Sequence, residues 1–411
     1  MQAKTPAQAR PLAAIAAAIP LALASGTGRA DDNTKSFEIY GFAMVDYIQD
    51  TKRVDPAWED AFRPSKIATP EGQFGTNGQA DVSAKQSRFG VKGSLPTGDN
   101  LPPVNFKFEF DMFGTGADAG KTTIRLRHFY GEWGQLLGGQ THTLFMDIDV
   151  FPNVIDYWGP PGMAFVRVPQ IRWTPYSSAD SHFSVALERP SNDVDPGNVR
   201  LIDVYAEATV NATERFPDLT AQYRKDGSWG HVQIAAILRD IGYDYKVNPT
   251  EPYQHGSDTG WGIDLTGAIN TLEKDKVLLG VVYGHGIATY MNDGGMDLAP
   301  TATPNPASTV PQLAGEAVPL TGVMAYYDHY WNSRFSSSIG YSFTKVDNTN
   351  FQDGGAFHKG DYASVNLLWY PVDAVLIGGE LMWGKKTNAA GETGDDVRFQ
   401  FSAKYSFGTK L

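Results

Sequence analysis

Val397-Arg398-Phe399-Gln400-Phe401-Ser402-Ala403-Lys404-Tyr405-Ser406-Phe407 alternates two kinds of side chain without a break. A strand sends successive side chains to opposite faces. Val397, Phe399, Phe401, Ala403, Tyr405 and Phe407 therefore share one face, and Arg398, Gln400, Ser402, Lys404 and Ser406 the other. The same period recurs upstream. Val104, Phe106, Phe108, Phe110 and Met112 alternate with Asn105, Lys107, Glu109 and Asp111. Val232, Ile234, Ala236 and Leu238 alternate with His231, Gln233 and Arg239, and Trp261, Ile263 and Leu265 with Asp264 and Thr266. Helical periodicity is nearly absent, so the chain is predicted to be all-β.

Run length separates the β architectures. The runs span roughly 10–14 residues, long for soluble strands of about 5–6 and suited to tilted membrane strands of about 9–11. About sixteen are expected, centred near residues 42, 88, 108, 129, 142, 170, 185, 221, 235, 263, 281, 326, 339, 364, 379 and 402. Short turns fall at 96–99, 225–228, 273–275 and 371–373. Long connections cover roughly 50–80, 147–165, 190–217, 242–257, 290–320, 346–357 and 386–395. Short periplasmic turns alternating with long extracellular loops describe a transmembrane antiparallel β-barrel. Tyr40, Tyr47, Trp133, Trp173, Tyr223, Trp331, Trp369, Tyr370 and Trp383 recur at strand ends, as aromatic girdles require. A propeller would show a repeat of about 40–50 residues, and a sandwich shorter strands; neither is present.

The chain has 411 residues, no cysteine, 34 Lys plus Arg and 46 Asp plus Glu, for a net charge of −12. Twelve per cent aromatics excludes a disordered chain. The acidic balance argues against nucleic acid as a partner, and the lack of cysteine against disulfide scaffolds and most structural zinc sites. Lys4 and Arg10 precede an apolar stretch from Leu12 to Leu23 and small residues ending at Ala24 or Ala30. This is the layout of a secretory signal peptide. Residues 1–30 are expected to be removed and 31–411 to form the barrel. Losing Lys4, Arg10 and Arg29 leaves 31 basic against 46 acidic residues, a net −15. Such a barrel sits in the bacterial outer membrane, among lipid and lipopolysaccharide.

A sixteen-stranded barrel encloses an aqueous channel. If the apolar face meets lipid, the polar face lines it. That places Arg88, Lys92, Lys107, Glu109, Asp111, Arg125, Arg127, Arg224, Arg239, Arg398 and Lys404 in the lumen. Arg167 and Arg172 have opposite parity, so both face inward only with a bulge, for which Pro169 is suited; Arg172 is favoured. A wall of Arg and Lys attracts anions, although the same residues also serve as structural partners of lumen carboxylates. The stretch Met146 to Phe165 carries Phe151, Ile155, Tyr157, Trp158 and Phe165, too apolar for an exposed loop. It is expected to fold inward as a constriction, with Asp147, Asp149 and Asp156 facing the basic wall. His128, Tyr130 and Glu132, read as outward, suggest that one strand meets a protein neighbour.

Catalytic, metal and cofactor signatures are absent. Ser181 and His182 point apart as strand neighbours, no Gly-x-Ser-x-Gly elbow occurs, and the histidines show no ligand spacing. Asn292-Asp293-Gly294-Gly295-Met296-Asp297 lacks EF-hand spacing and reads as a solvated turn. A diffusion channel for small hydrophilic solutes, favouring anions, is thus the leading reading. A lipase- or esterase-type barrel enzyme and a structural or adhesive barrel are the alternatives.

Several motifs together resemble the DcaP-like trimeric porins of Gram-negative outer membranes. They are Ser87-Arg88-Phe89-Gly90-Val91-Lys92-Gly93, Phe106-Lys107-Phe108-Glu109-Phe110-Asp111, and Arg125-Leu126-Arg127-His128-Phe129-Tyr130-Gly131-Glu132-Trp133. Gly139-Gln140-Thr141, Phe145-Met146-Asp147 and Val166-Arg167-Val168-Pro169-Gln170-Ile171-Arg172 add to them. The likeness is strong over about 37–175 and looser beyond. It implies a homotrimer with one pore per subunit and uptake of small acidic solutes such as dicarboxylates. Arg88, Lys92, Arg125, Arg127 and Arg172 match the motif positions of its arginine-rich wall. Two departures stand out. Few residues separate Ala30 from the first strand, leaving no room for the helical segment of some members, and Gly408-Thr409-Lys410-Leu411 follows the terminal aromatic.

Overall fold

The computed structural model describes residues 35–98, 100–309 and 311–410; the expected signal peptide lies outside them. Sixteen strands build the wall. They are β1 (Ser36–Asp50), β2 (Arg88–Leu95), β3 (Val104–Phe113), β4 (Thr122–Trp133), β5 (Leu136–His142), β6 (Arg167–Ser177), β7 (Ser181–Glu188) and β8 (Asp218–Gly227). There follow β9 (Gly230–Tyr245), β10 (Gln254–Asn270), β11 (Lys276–His285), β12 (Pro319–Asn332), β13 (Phe335–Val346), β14 (Phe357–Val372), β15 (Val375–Asn388) and β16 (Thr393–Lys410). Each pairs antiparallel with the next. β16 closes on β1 from Glu38↔Lys410 to Asp50↔Arg398, leaving no free edge. Among the described residues no helix is long and apolar enough to cross a membrane; the crossing is made by strands.

The expected alternation holds along most of the wall. Ile124, Phe129, Ile171, Ile263, Leu367 and Phe401 stand exposed on the outer surface, where hydrocarbon covers them. Several expectations need correction. The strands run longer than the periodic segments, to 17 residues in β10 and 18 in β16. The connections expected at 242–257 and 386–395 shrink accordingly to 246–253 and 389–392. Tyr40 and Tyr370 are not girdle residues, since their hydroxyls bond Glu109 and Asn153 inside the barrel. β2 is interrupted, and a separate strand, Gln79–Ser83, pairs with the far half of β1. Ser87 bridges the break by accepting from the Met44 N–H at 3.0 Å and donating to its carbonyl at 3.1 Å.

One extra residue changes β4. Its register against β3 slips between Glu109↔His128 and Phe110↔Leu126, leaving Arg127 as the bulge residue. Side-chain parity reverses there, so Arg127 and His128 are both buried in the lumen while Leu126 and Phe129 face outward. His128, Tyr130 and Glu132 therefore mark an inward surface, not a contact with a protein neighbour. His128 bonds Thr141 at 3.0 Å, and its ring meets those of Tyr130 and His142.

The lumen has two unlike halves. On β9–β15 many inward residues are apolar too, and the segment 143–166 covers them. Phe145 and Met146 pack on Ala235, Ile237 and Val282. Val150 and Met163 pack with Ala268, Leu278, Met324, Tyr326 and Met382. Burying each large side chain this way contributes ~1.5–3 kcal/mol. The segment lies directly on the wall at Gly162, where a Cβ would come within 2.2 Å of the Phe343 carbonyl oxygen. The half formed by β16 and β1–β6 carries most of the inward basic side chains, Arg88, Lys107, Arg125, Arg127, Arg172 and Lys404 among them.

Candidate functional site

The constriction is the inward segment 143–166 together with parts of loops 51–78 and 286–318. Asn153 N–H bonds Asp328 on β12 at 3.2 Å, and its amide reaches Ser336 and Tyr370. Ile155 N–H bonds Glu380 on β15 at 2.6 Å, while its carbonyl accepts from Gln86 and Gln400. Carboxylates on the far wall thus hold the loop's backbone. Trp158 and Asn292 exchange hydrogen bonds between loops. Asp293 accepts from Arg63 and Ser65, and Arg63 lies between the rings of Trp58 and Trp158 at 4.1 and 4.3 Å. The stretch 292–297 is consequently not a solvated turn. Asp293 and Asp297 are buried, the latter against Arg239 and Thr289.

Opposite the loop, adjacent strands bring four cations onto two carboxylates. Arg125 forks onto Asp111 at 2.9 and 2.6 Å. Arg127 reaches Glu109 at 2.7 Å and Asp111 at 2.8 Å. Lys107 and Arg88 approach Glu109 at 3.3 and 3.6 Å. Lys92 pairs with Glu38 at 3.4 Å on the same side. Arg172 bonds Gln170 and the His142 carbonyl, and Lys404 lies over the Phe42 ring, neither with a carboxylate within 4 Å among the described residues. Arg167, set aside on parity, also belongs to this cluster. It begins β6, where the chain leaves the wall, and sits over Phe165 at 5.0 Å with no carboxylate partner among the described residues. The bulge expected at Pro169 is not there: β5–β6 pairing runs unbroken from Leu136↔Trp173 to His142↔Arg167. The irregularity lies between Trp173 and Tyr176.

The other three named cations stand apart and are neutralised. Arg224 contacts Asp147, Asp149 and Asp226 at 2.7–3.3 Å. Arg239 lies between Asp218 and Asp297 at 3.1 and 3.0 Å. Arg398 is fully buried and forks onto Asp50. The loop acids likewise do not face the Arg88–Arg127 cluster. Asp147 and Asp149 turn to Arg224, and Asp147 also bonds His231 at 2.7 Å and Thr266 at 2.9 Å. Burial pushes the Asp147 carboxyl up, but His231, Arg224 and Thr266 outweigh it and hold it below the usual range. This anchor therefore persists above the unfolded carboxyl pKa and is lost only as pH falls through the lowered value. Asp156 accepts the N–H groups of Phe62, Trp158 and Gly159, and burial pushes its carboxyl up despite Arg398. The loop residue that does meet the basic cluster is Tyr157.

Above the constriction a vestibule of about 560 Å³ opens, lined by Arg63, Arg125, Tyr157, Arg167, Arg189 and Asp193 among others. Arg63 and Arg189 carried no sequence signal, because loop residues have no periodicity to assign their direction.

The DcaP outer membrane protein family model matches residues 30–407. The chain belongs to the DcaP outer membrane protein family. The crystal structure of the outer membrane channel DcaP of Acinetobacter baumannii superposes with a TM-score of 0.74 at 21% identity, covering 92% of this chain and 99% of that one. More distant folds include OmpF of Salmonella typhi in complex with daunomycin (TM-score 0.55, 10% identity, 91% and 98% covered). OmpT of Vibrio cholerae is another (0.52, 11%, 92% and 98%). A sequence search of curated proteins gives no match. This DcaP-family chain is an outer-membrane channel of porin architecture.

Proposed function

We propose that this protein is a passive, non-enzymatic diffusion channel that prefers small anions, with dicarboxylates as the solutes that the family resemblance implies. The observation that carries this reading is the charge imbalance on the open half of the lumen. Arg88, Lys92, Lys107, Arg125, Arg127, Arg167, Arg172 and Lys404 line it, against the carboxylates Glu38, Glu109, Asp111 and Glu132 set among them. The chain's net negative charge does not oppose this, because inward acids elsewhere such as Asp328, Glu380 and Asp50 are engaged by loop backbone or by arginine. Field lines concentrate in a narrow low-dielectric lumen, so local excess charge governs the ions that enter.

The test is the reversal potential of the purified protein in a planar bilayer under a KCl gradient, with succinate then added. A chloride-selective current reduced by succinate is the expected result. A cation-selective current that succinate leaves unchanged overturns the solute class while leaving the porin intact.

The working assembly in this reading is a homotrimer within lipid and lipopolysaccharide. Supporting it, the outer face of β2–β4 carries Phe89, Phe106, Phe108, Phe110 and Phe129, with ring centroids 5.6–6.0 Å apart in the closest pairs. Such a rigid aromatic face suits contact with another protein surface. Migration at monomer size in an unheated denaturing gel would count against the trimer.

A further inference from the structure

Tyr157 projects from the constriction loop into the basic cluster. Its hydroxyl is hydrogen-bonded by Arg125, lies 2.9 Å from Arg127 Nη1 and 3.3 Å from Asp111 Oδ2. A phenol oxygen accepts two hydrogen bonds and donates one. Here the two guanidinium groups donate and Asp111 accepts. The ring is held by Phe113 at 4.1 Å between centroids and by Trp158 at 5.8 Å. The hydroxyl thus bridges two cations as a small anion would. Around it the cluster has donors to spare, since Arg88 Nε and Arg167 Nε are buried without a hydrogen-bond partner. Burial pushes the Tyr157 phenol up, but Arg127, Arg167 and Arg125 outweigh it and bring it below the ordinary tyrosine value.

We propose that the Tyr157 hydroxyl occupies the place an anion takes between Arg125 and Arg127, so that each passing anion displaces it and Tyr157 sets the dwell time. This rests on the anion-preferring reading above. A channel conducts only if its sites bind firmly enough to admit an ion and weakly enough to release it. Two desolvated guanidinium groups make a trap when an N–H of each is left for an anion alone, and a displaceable internal acceptor weakens it. Tyr157 is then a specificity-determining residue that tunes throughput against affinity.

The Tyr157→Phe variant keeps the ring and removes the bridge. Single-channel conductance measured against KCl concentration is expected to half-saturate at a concentration about three- to tenfold lower than in the parent, with reduced conductance at high salt. Tyr370→Phe removes a hydroxyl from the loop's far anchor and is expected to leave the curve in place. An unchanged curve in Tyr157→Phe, or an equal shift in Tyr370→Phe, overturns the proposal. Reversal potentials from the same recordings separate the two levels. Cation preference in the parent overturns the anion reading itself, whereas retained anion preference with unshifted saturation overturns only the role of Tyr157. Heat-dependent gel migration establishes that each variant is folded. If Tyr157→Phe does not fold, Tyr157→His decides, since its ring nitrogen can still accept: saturation within threefold of the parent supports the bridge, and loss of saturation overturns it.

Discussion

Exchanging Arg167 and Lys404 together for glutamate lowers the preference for chloride over potassium about a hundredfold. Like Arg172, these cations of the open half can be reversed without breaking an ion pair, because neither has a carboxylate within 4 Å among the described residues. Each exchange changes the wall by two unit charges. One unit charge at about 6 Å in water is worth ~0.7 kcal/mol, and 0.1 M salt removes roughly half of that. Four units then amount to about 1.4 kcal/mol on each ion, with opposite sign for anion and cation, or a factor of about a hundred in their local ratio. The reversal potential under a KCl gradient reads this directly. The same exchange at Arg224, half-buried and paired with Asp147, Asp149 and Asp226, would instead assemble four carboxylates and disrupt the loop anchor. A double variant with the parent's reversal potential would show that the field is set elsewhere.

Asp50→Ala lowers the stability of the barrel by ~3–5 kcal/mol, because it leaves the Arg398 guanidinium buried without its counter-ion. Both side chains are fully buried, and the pair sits at the register Asp50↔Arg398 on the seam where β16 closes on β1. The Glu59 carbonyl at 2.9 Å and the Phe62 ring at 5.2 Å are the remaining partners of Arg398 and do not replace a carboxylate. Replacing both members, with Asp50→Leu and Arg398→Met, is expected to cost far less, since no charge then remains to be solvated. The check is the midpoint of heat-induced loss of β-sheet signal in detergent at one scan rate. Equal midpoints for Asp50→Ala and the parent would show that the seam does not depend on this pair.

The two predictions differ in how far the sequence alone would lead to them. Period two along Val397–Phe407 and Val104–Met112 placed Arg398, Lys404, Lys107, Glu109 and Asp111 in the lumen correctly, and the sixteen strands lie close to the expected centres. The pattern reports which way a side chain points, not what it meets. Arg398 and Arg127 have equal parity signals, yet one is sealed against Asp50 and the other faces the channel cluster. Alternation also fades where both faces are apolar. Ala235 and Ile237 share the parity of Gln233 and Arg239 yet are apolar, and with Val282 they are covered from inside by the loop. Loop 143–166 was legible as an inward fold from its aromatics, but the partners of Asp147 and Asp156 were not. Those depend on contacts with residues 94 or more positions away in Phe62 and Thr266. Arg167 was misjudged because a strand's first residue is not bound by the strand's parity.

The bulge at Arg127 shows what kind of change this wall tolerates least. Every inward residue from His128 to Glu132 owes its direction to one extra residue, not to its own chemistry. Losing a single codon there would turn His128, Tyr130 and Glu132 toward hydrocarbon and Phe129 and Trp133 toward water, while leaving the composition of β4 almost untouched. Chain length through this strand therefore governs the direction of its side chains more than the identity of most of them does. Homologous channels are expected to diverge by exchanging residues here, and to gain or lose them in the extracellular loops.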